Sequence, residues 1–283
     1  MKNGILTLTA ALVMLCTAGA AQQQNGQGNQ GVQVGVPAGR GAAPPPARRR
    51  DAGPAKPAPR AKDGRILLGG ATPAEKGLWL PGPVVTTPLV PNIPFQPWAR
   101  ALYADREKHR LEPHTRCKPS GAARQVQTPY GVEFVDLPEA QRLYVFDVGG
   151  PHTYRTVYMD GRTHPERPTP TYYGHSVGWW DGDTLVVDTI GYNESFWLDR
   201  MGAPHTETLH TLERITRTDA RTIQYELTVD DPSAYTAPWT AKFPLFWEDG
   251  TELFEYVCQE QNYAPQLMLG TYTSVDRTTP VVP

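Results

Sequence analysis

The chain has 283 residues, 39% of them hydrophobic and 20% charged, with a formal net charge of -2. That length is ample for a packed core. The charge excludes a dedicated nucleic-acid binder, which would be clearly basic, and no apolar run beyond the signal-like N-terminus is long enough to span a bilayer. The charge is unevenly spread: a basic stretch over residues 22–65 precedes an acidic remainder.

Met1-Lys2, the apolar run Ile5 to Cys16 and the small residues Ala18-Gly19-Ala20-Ala21 have the order of a secretory signal peptide, cleaved after Ala20 or Ala21. Leu15 before Cys16 is too bulky for a typical lipoprotein site. The expected location is periplasmic or secreted. Residues 22–65 are Gln/Gly-rich, then Pro/Ala/Arg-rich. With few aromatic or branched residues they cannot offset ordering entropy, and they read as a disordered linker. A sharper alternative is envelope contact through Arg48-Arg49-Arg50.

After signal removal two cysteines remain, Cys117 and Cys258, and an oxidising compartment invites one disulfide between them. Residues 66–128 begin as a proline-rich arm. Pro97 then suits the first position of a helix running to about Leu111, with Trp98, Ala101, Leu102 and Asp105 as a modest apolar stripe.

From residue 129 the pattern changes to strands: Gly131–Leu137, Arg142–Val148, Tyr154–Asp160, Gly174–Trp180, Thr184–Ile190, Thr208–Arg217, Thr222–Asp230, Lys242–Trp247, Thr251–Gln259 and a tail strand near Leu267–Val275. Asp160-Gly161, Asp181-Gly182 and Asp249-Gly250 read as hairpin loops. Sequential hairpins without intervening helices predict a mostly β protein, an antiparallel meander. Residues 129–283 most economically close into a barrel, with a two-sheet sandwich as runner-up.

A two-residue loop at Asp181-Gly182 would set His175 directly opposite Asp188, close enough for imidazole and carboxylate to hydrogen-bond. Such a pair makes a general base; its plainer role is to steady a hairpin. Gly174-His175-Ser176-Val177-Gly178 matches the nucleophile elbow of α/β-hydrolases, but it runs into another strand rather than a helix, so it carries little weight. Glu213 shares strand parity with Leu209 and Ile215. If that face is the core, Glu213 needs a partner such as Arg155 or a histidine and becomes a candidate acid.

All seven histidines fall between His109 and His210. No tight metal-binding pair occurs, and a set drawn from His164, His175, His205 and His210 is the arrangement that a barrel allows. Structural histidines are the simpler reading, and neither metal nor cofactor is assigned. Trp179, Tyr173, Asn193 and His210 are candidates for holding a sugar or an aromatic ligand.

The strings Tyr158-Met159-Asp160-Gly161-Arg162, Gly174-His175-Ser176-Val177-Gly178-Trp179-Trp180-Asp181-Gly182-Asp183-Thr184-Leu185-Val186-Val187-Asp188-Thr189 and Tyr256-Val257-Cys258-Gln259-Glu260 resemble those of a group of uncharacterised secreted bacterial proteins. The resemblance covers about residues 75–275. It implies a lipocalin-like (calycin) barrel and an exported protein, and it transfers no catalytic residue. The sequence thus points to a small-molecule-binding barrel. The alternatives are a hydrolase or lyase using the His175–Asp188 pair, and an envelope-associated structural protein held by its basic tail.

Overall fold

The computed structural model describes residues 55–82, 89–109, 112–148 and 153–258. The segment read as a signal peptide, most of the linker and the proposed tail strand lie outside these residues. The strands are β1 (Gly77–Pro81), β2 (Val132–Leu137), β3 (Arg142–Asp147), β4 (Tyr154–Tyr158), β5 (His175–Asp181), β6 (Thr184–Ile190), β7 (His210–Asp219), β8 (Thr222–Asp230) and β9 (Trp239–Asp249). They form a closed barrel in chain order, with β1 completing the circle against β9.

Side chains alternate across the wall as a two-residue period requires. On β7, Thr211, Glu213, Ile215 and Arg217 are buried, while the residues between them are partly exposed. Trp79, Leu143, Leu185, Ile223, Tyr225 and Leu245 are all under 2% exposed, so the middle of the barrel is packed with side chains.

Three local expectations change. β1 comes from the segment expected to be a featureless arm; Gly77-Leu78-Trp79-Leu80 precedes Pro81, which can end a strand. Residues 251–258 form no strand, so Asp249-Gly250 ends β9 without starting a hairpin. β4 and β5 pair in parallel, Val157 with Ser176 and Tyr158 with Val177. Every other junction in the barrel is antiparallel. A parallel pair cannot be joined by a tight turn and needs a long crossover. Residues 159–174 provide it, so Asp160-Gly161 opens a strap between the strands rather than a hairpin.

The two ends of the barrel are covered differently. At the end where β1 begins, Ile66 and Leu68 are buried, and Arg217 donates to the carbonyls of Leu67 (2.5 Å) and Gly69 (2.6 Å). Residues 55–65, read from composition as linker, also lie on the barrel. The Ala220 N–H donates to the Lys56 carbonyl at 2.8 Å, and Arg60 pairs with Asp183. Backbone hydrogen bonds and ion pairs hold this stretch, which an argument from apolar content does not register.

Near the opposite end sits helix α1 (Pro97–His109), which begins at Pro97 as predicted. Its buried residues are Ala99 and Tyr103 rather than the expected stripe of Trp98, Ala101, Leu102 and Asp105, and Trp98 is 45% exposed. Tyr103 packs against Phe95, and Phe95 against Tyr235. A short helix α2 (Ala122–Gln125) is buried throughout. Cys117 and Cys258 form a disulfide with Cα atoms 5.5 Å apart. Among the described residues no helix is long and apolar enough to cross a membrane.

Candidate functional site on the barrel wall

The β5–β6 hairpin turns on Gly182-Asp183, with Asp181 opposite Thr184, one residue later than expected. Gly182 takes φ +60°, in the left-handed region that glycine enters without steric cost. Moving the loop by one residue moves the register by two. His175 therefore faces Ile190, and Asp188 faces Val177 on one side and Leu212 on the other. The expected direct His175–Asp188 pair is replaced by a longer chain.

Asp188 lies on the outer wall with His175 diagonal to it on β5 and His210 diagonal on β7, spacings near 7–8 Å between Cα atoms. The strap places His164 between them. Its Nε2 is 2.9 Å from Asp188 Oδ1, and its Nδ1 is 2.8 Å from His175 Nδ1. His210 Nε2 reaches both carboxylate oxygens, at 3.0 and 3.1 Å. The result is a continuous row, His175–His164–Asp188–His210.

With both rings neutral, donor and acceptor counting fixes the tautomers. Asp188 as a carboxylate only accepts, so His164 carries its proton on Nε2. His164 Nδ1 is then bare and accepts from His175 Nδ1–H. His175 is left with a bare Nε2, and that atom has no hydrogen-bond partner among the described residues. The ring stacks on Tyr158, centroids 5.1 Å apart, and the Arg162 guanidinium lies 4.0 Å from the other ring's centre.

The row tunes its members in opposite directions. Burial first, then His164 and Arg162, pulls His175 below the usual histidine value. The hydrogen bond to Asp188 lifts His210 above it. Burial works against charge on Asp188, but the bonds from His210 and His164 prevail and hold its carboxyl below the usual range. The linkage signs follow. His210's contribution to stability is complete below its unfolded value near 6.5 and is lost as pH rises through the raised folded value. Asp188's contribution is complete above its unfolded value near 3.9 and is lost as pH falls through the depressed one. The Asp188–His210 contact therefore contributes most in mildly acidic solution.

Glu213 points into the barrel, 1% exposed, and forms an ion pair with Arg155, the partner suggested by the sequence. Tyr225 OH donates to its other oxygen at 2.5 Å. Arg155 also donates to Ser176 Oγ (2.9 Å) and Thr189 Oγ1 (2.7 Å). Burial opposes the charge on Arg155, and the neighbouring Glu213 overrides it, holding the guanidinium more firmly protonated. Both Glu213 oxygens are engaged in a closed interior. Ser176 is fully buried in the same network, which removes it as an exposed nucleophile.

The remaining candidates are dispersed. Trp179 is 46% exposed on the outer wall opposite Val186. Tyr173 bonds through its hydroxyl to Thr153. Asn193 accepts the Ser195 N–H at 3.0 Å and so shapes its own loop. His205 is buried away from the row, 4.1 Å from the Phe196 ring centre, and burial pushes it down to about 4. Among the described residues no group of three or more His, Cys, Asp or Glu is arranged to hold a metal ion.

Two residues escaped the sequence reading. His164 had appeared only as one of four histidines in a metal set, yet it links the row; the clue was a 159–174 interval too long for a hairpin. Asp231, just past the end of β8, accepts hydrogen bonds from Thr206 N (2.6 Å), Thr206 Oγ1 (2.9 Å) and Thr208 Oγ1 (2.9 Å) and ties the segment before β7 to the end of β8. No protein-family model matches this chain, and no curated protein or solved structure shows significant similarity to it.

Proposed function

We propose that the protein is an exported barrel protein that takes a small molecule against its outer wall and performs general-base chemistry on it, of the hydrolytic or lyase type. The observation that carries this reading is the row ending at His175 Nε2. A carboxylate orients one imidazole, that imidazole orients the next, and the last presents a lone pair. The same logic fixes the working tautomer of histidine in acid–base sites. The lowered His175 value keeps the ring neutral near pH 7, as a base requires. Environments that drive His175 and His210 apart also fit a division into base and acid.

The surroundings suit a sugar or an aromatic ring. Tyr158 flanks His175. Tyr144, Phe146 and Tyr154 form a triangle on the neighbouring strands, with centroids 5.7–6.1 Å apart. Export is supported by the N-terminal sequence pattern and by the disulfide, which belongs in an oxidising compartment. Membership of the secreted group whose strings the chain carries is part of the same proposal.

The test is a turnover screen of small sugar and aromatic esters and eliminable sugars with the wild type, His175→Ala and Asp188→Asn. The expected activity rises as His175 loses its proton, below pH 6.5, and falls by about 10²–10⁴-fold in His175→Ala. Any turnover that survives His175→Ala unchanged contradicts the assignment. Saturable binding without turnover would leave a binding protein in place of an enzyme.

A further inference from the structure

The outward side chains of β3 and β4 form one surface that leads up to His175. The register pairs Phe146 with Tyr154, Tyr144 with Thr156 and Arg142 with Tyr158. These six alternate with the buried Leu143, Val145, Arg155 and Val157, so all of them face away from the barrel interior. Val157 pairs with Ser176, which sets Thr156 and His175 side by side on the same face. From Tyr154 to Tyr158 the surface runs ~13 Å along β4, longer than a single sugar ring.

The two ends of this surface differ. At the far end stand Tyr144, Phe146 and Tyr154 in mutual contact, with Tyr154 56% exposed. Open aromatic faces beside a polar rim suit the C–H faces of sugars. The end beside His175 is cationic. The Arg142 guanidinium lies 5.6 Å from the centre of the Tyr158 ring, on which His175 also stacks. Arg142 is exposed and makes no ion pair among the described residues. Its cross-strand neighbours, Leu137 and Tyr158, carry no charge, and Asp160 on the strap is taken by Arg162. Among the outward residues of β2, β3 and β4 the one carboxylate is Glu133, opposite Phe146 at the far end.

We propose that this surface binds a short sugar chain carrying one uronate, with the uronate carboxylate on Arg142 and the neutral sugars on Tyr144, Phe146 and Tyr154. The inference rests on the reading of His175 as a base and names the substrate class for that site. A guanidinium fork matches a carboxylate in plane and charge. Arg142 and His175 both adjoin Tyr158, so the sugar held by its carboxylate is the one brought to the base. Glu133 sets the direction of the chain, because it repels a carboxylate at the aromatic end.

The experiment is calorimetric titration of the full chain at low salt, made with His175→Ala so that turnover does not intrude. The probes are aldotriouronic acids of two linkages (one glucuronate on two neutral sugars), their carboxyl-reduced counterparts, free glucuronate and 3-phenylpropionate. At least one acidic trisaccharide should bind saturably, about fivefold tighter than its reduced form, with the advantage shrinking as salt is added. Adding Arg142→Gln should bring the acid down to the affinity of the reduced form and leave the latter unchanged. Adding Tyr154→Ala should weaken both trisaccharides about equally and leave glucuronate as it was. Circular dichroism checks that the variants are folded. No saturable binding of either acid at millimolar concentrations, equal affinity for acid and reduced form, or an acid affinity untouched by Arg142→Gln would overturn the proposal. Tighter binding of 3-phenylpropionate than of either trisaccharide would overturn it too, by assigning the surface to aromatic acids. Failure of the base reading looks different. Binding that depends on Arg142 and Tyr154 supports the substrate class even where wild type and His175→Ala turn over equally, whereas His175-dependent turnover of other compounds without glycan binding overturns the class and leaves the base.

Discussion

Glu213→Ala is expected to lower the free energy of unfolding by about 3–5 kcal/mol. The substitution leaves the Arg155 guanidinium, 3% exposed, without its counter-charge inside the barrel. It also strips the Tyr225 hydroxyl of its acceptor. Replacing both members, Arg155→Met with Glu213→Leu, should recover most of the loss, because well-packed apolar side chains avoid the desolvation that a buried ion pair must overcome. Urea denaturation of the three proteins measures this. A Glu213→Ala midpoint close to wild type would mean that the interior admits water and that the network is not closed.

The second large effect is expected at the disulfide. Cys117 and Cys258 are 141 residues apart, so their bond closes a loop containing most of the barrel. Chain-entropy reasoning gives on the order of 5 kcal/mol for a loop of that length. Cys117→Ser/Cys258→Ser should therefore approach the cost of the broken ion pair, through the unfolded rather than the folded state. The check is the unfolding midpoint of the double variant against the wild type with and without reductant. Reductant should destabilise only the wild type. Equal stability of all samples would show that the unfolded chain is already compact enough for the bond to constrain little.

The barrel was legible because it is written in a local code. Alternation marks β7 and β8 on their own, and the inward Glu213 could be paired with Arg155 because a buried carboxylate demands a partner. β1 was not legible: a short strand ending at Pro81 in a proline-rich stretch has too few alternating positions to stand out. Pro97 announced its helix, while the choice of Ala99 and Tyr103 as the buried face depended on what α1 packs against.

The site was legible in its members but not in its connections. His175, Asp188 and His210 were each singled out, yet a one-residue error in the hairpin loop put His175 opposite the wrong residue. Register carries this sensitivity because pairing errors double across a turn. The parallel β4–β5 junction was invisible to a reading built on successive hairpins, and with it went the strap that delivers His164. Long-range pairing, not residue type, decides what a barrel wall brings together.

The central claim is that the row ends in a neutral His175 with a bare Nε2. Long-range proton–nitrogen NMR of the imidazoles, recorded as a function of pH, tests it most directly because it reads tautomer and titration together. The account predicts that His175 carries its proton on Nδ1 and titrates below the ordinary value near 6.5, while His210 titrates above it. In Asp188→Asn, His210 should fall back toward the ordinary value. A His175 ring protonated on Nε2, or titrating above His210, would contradict the account.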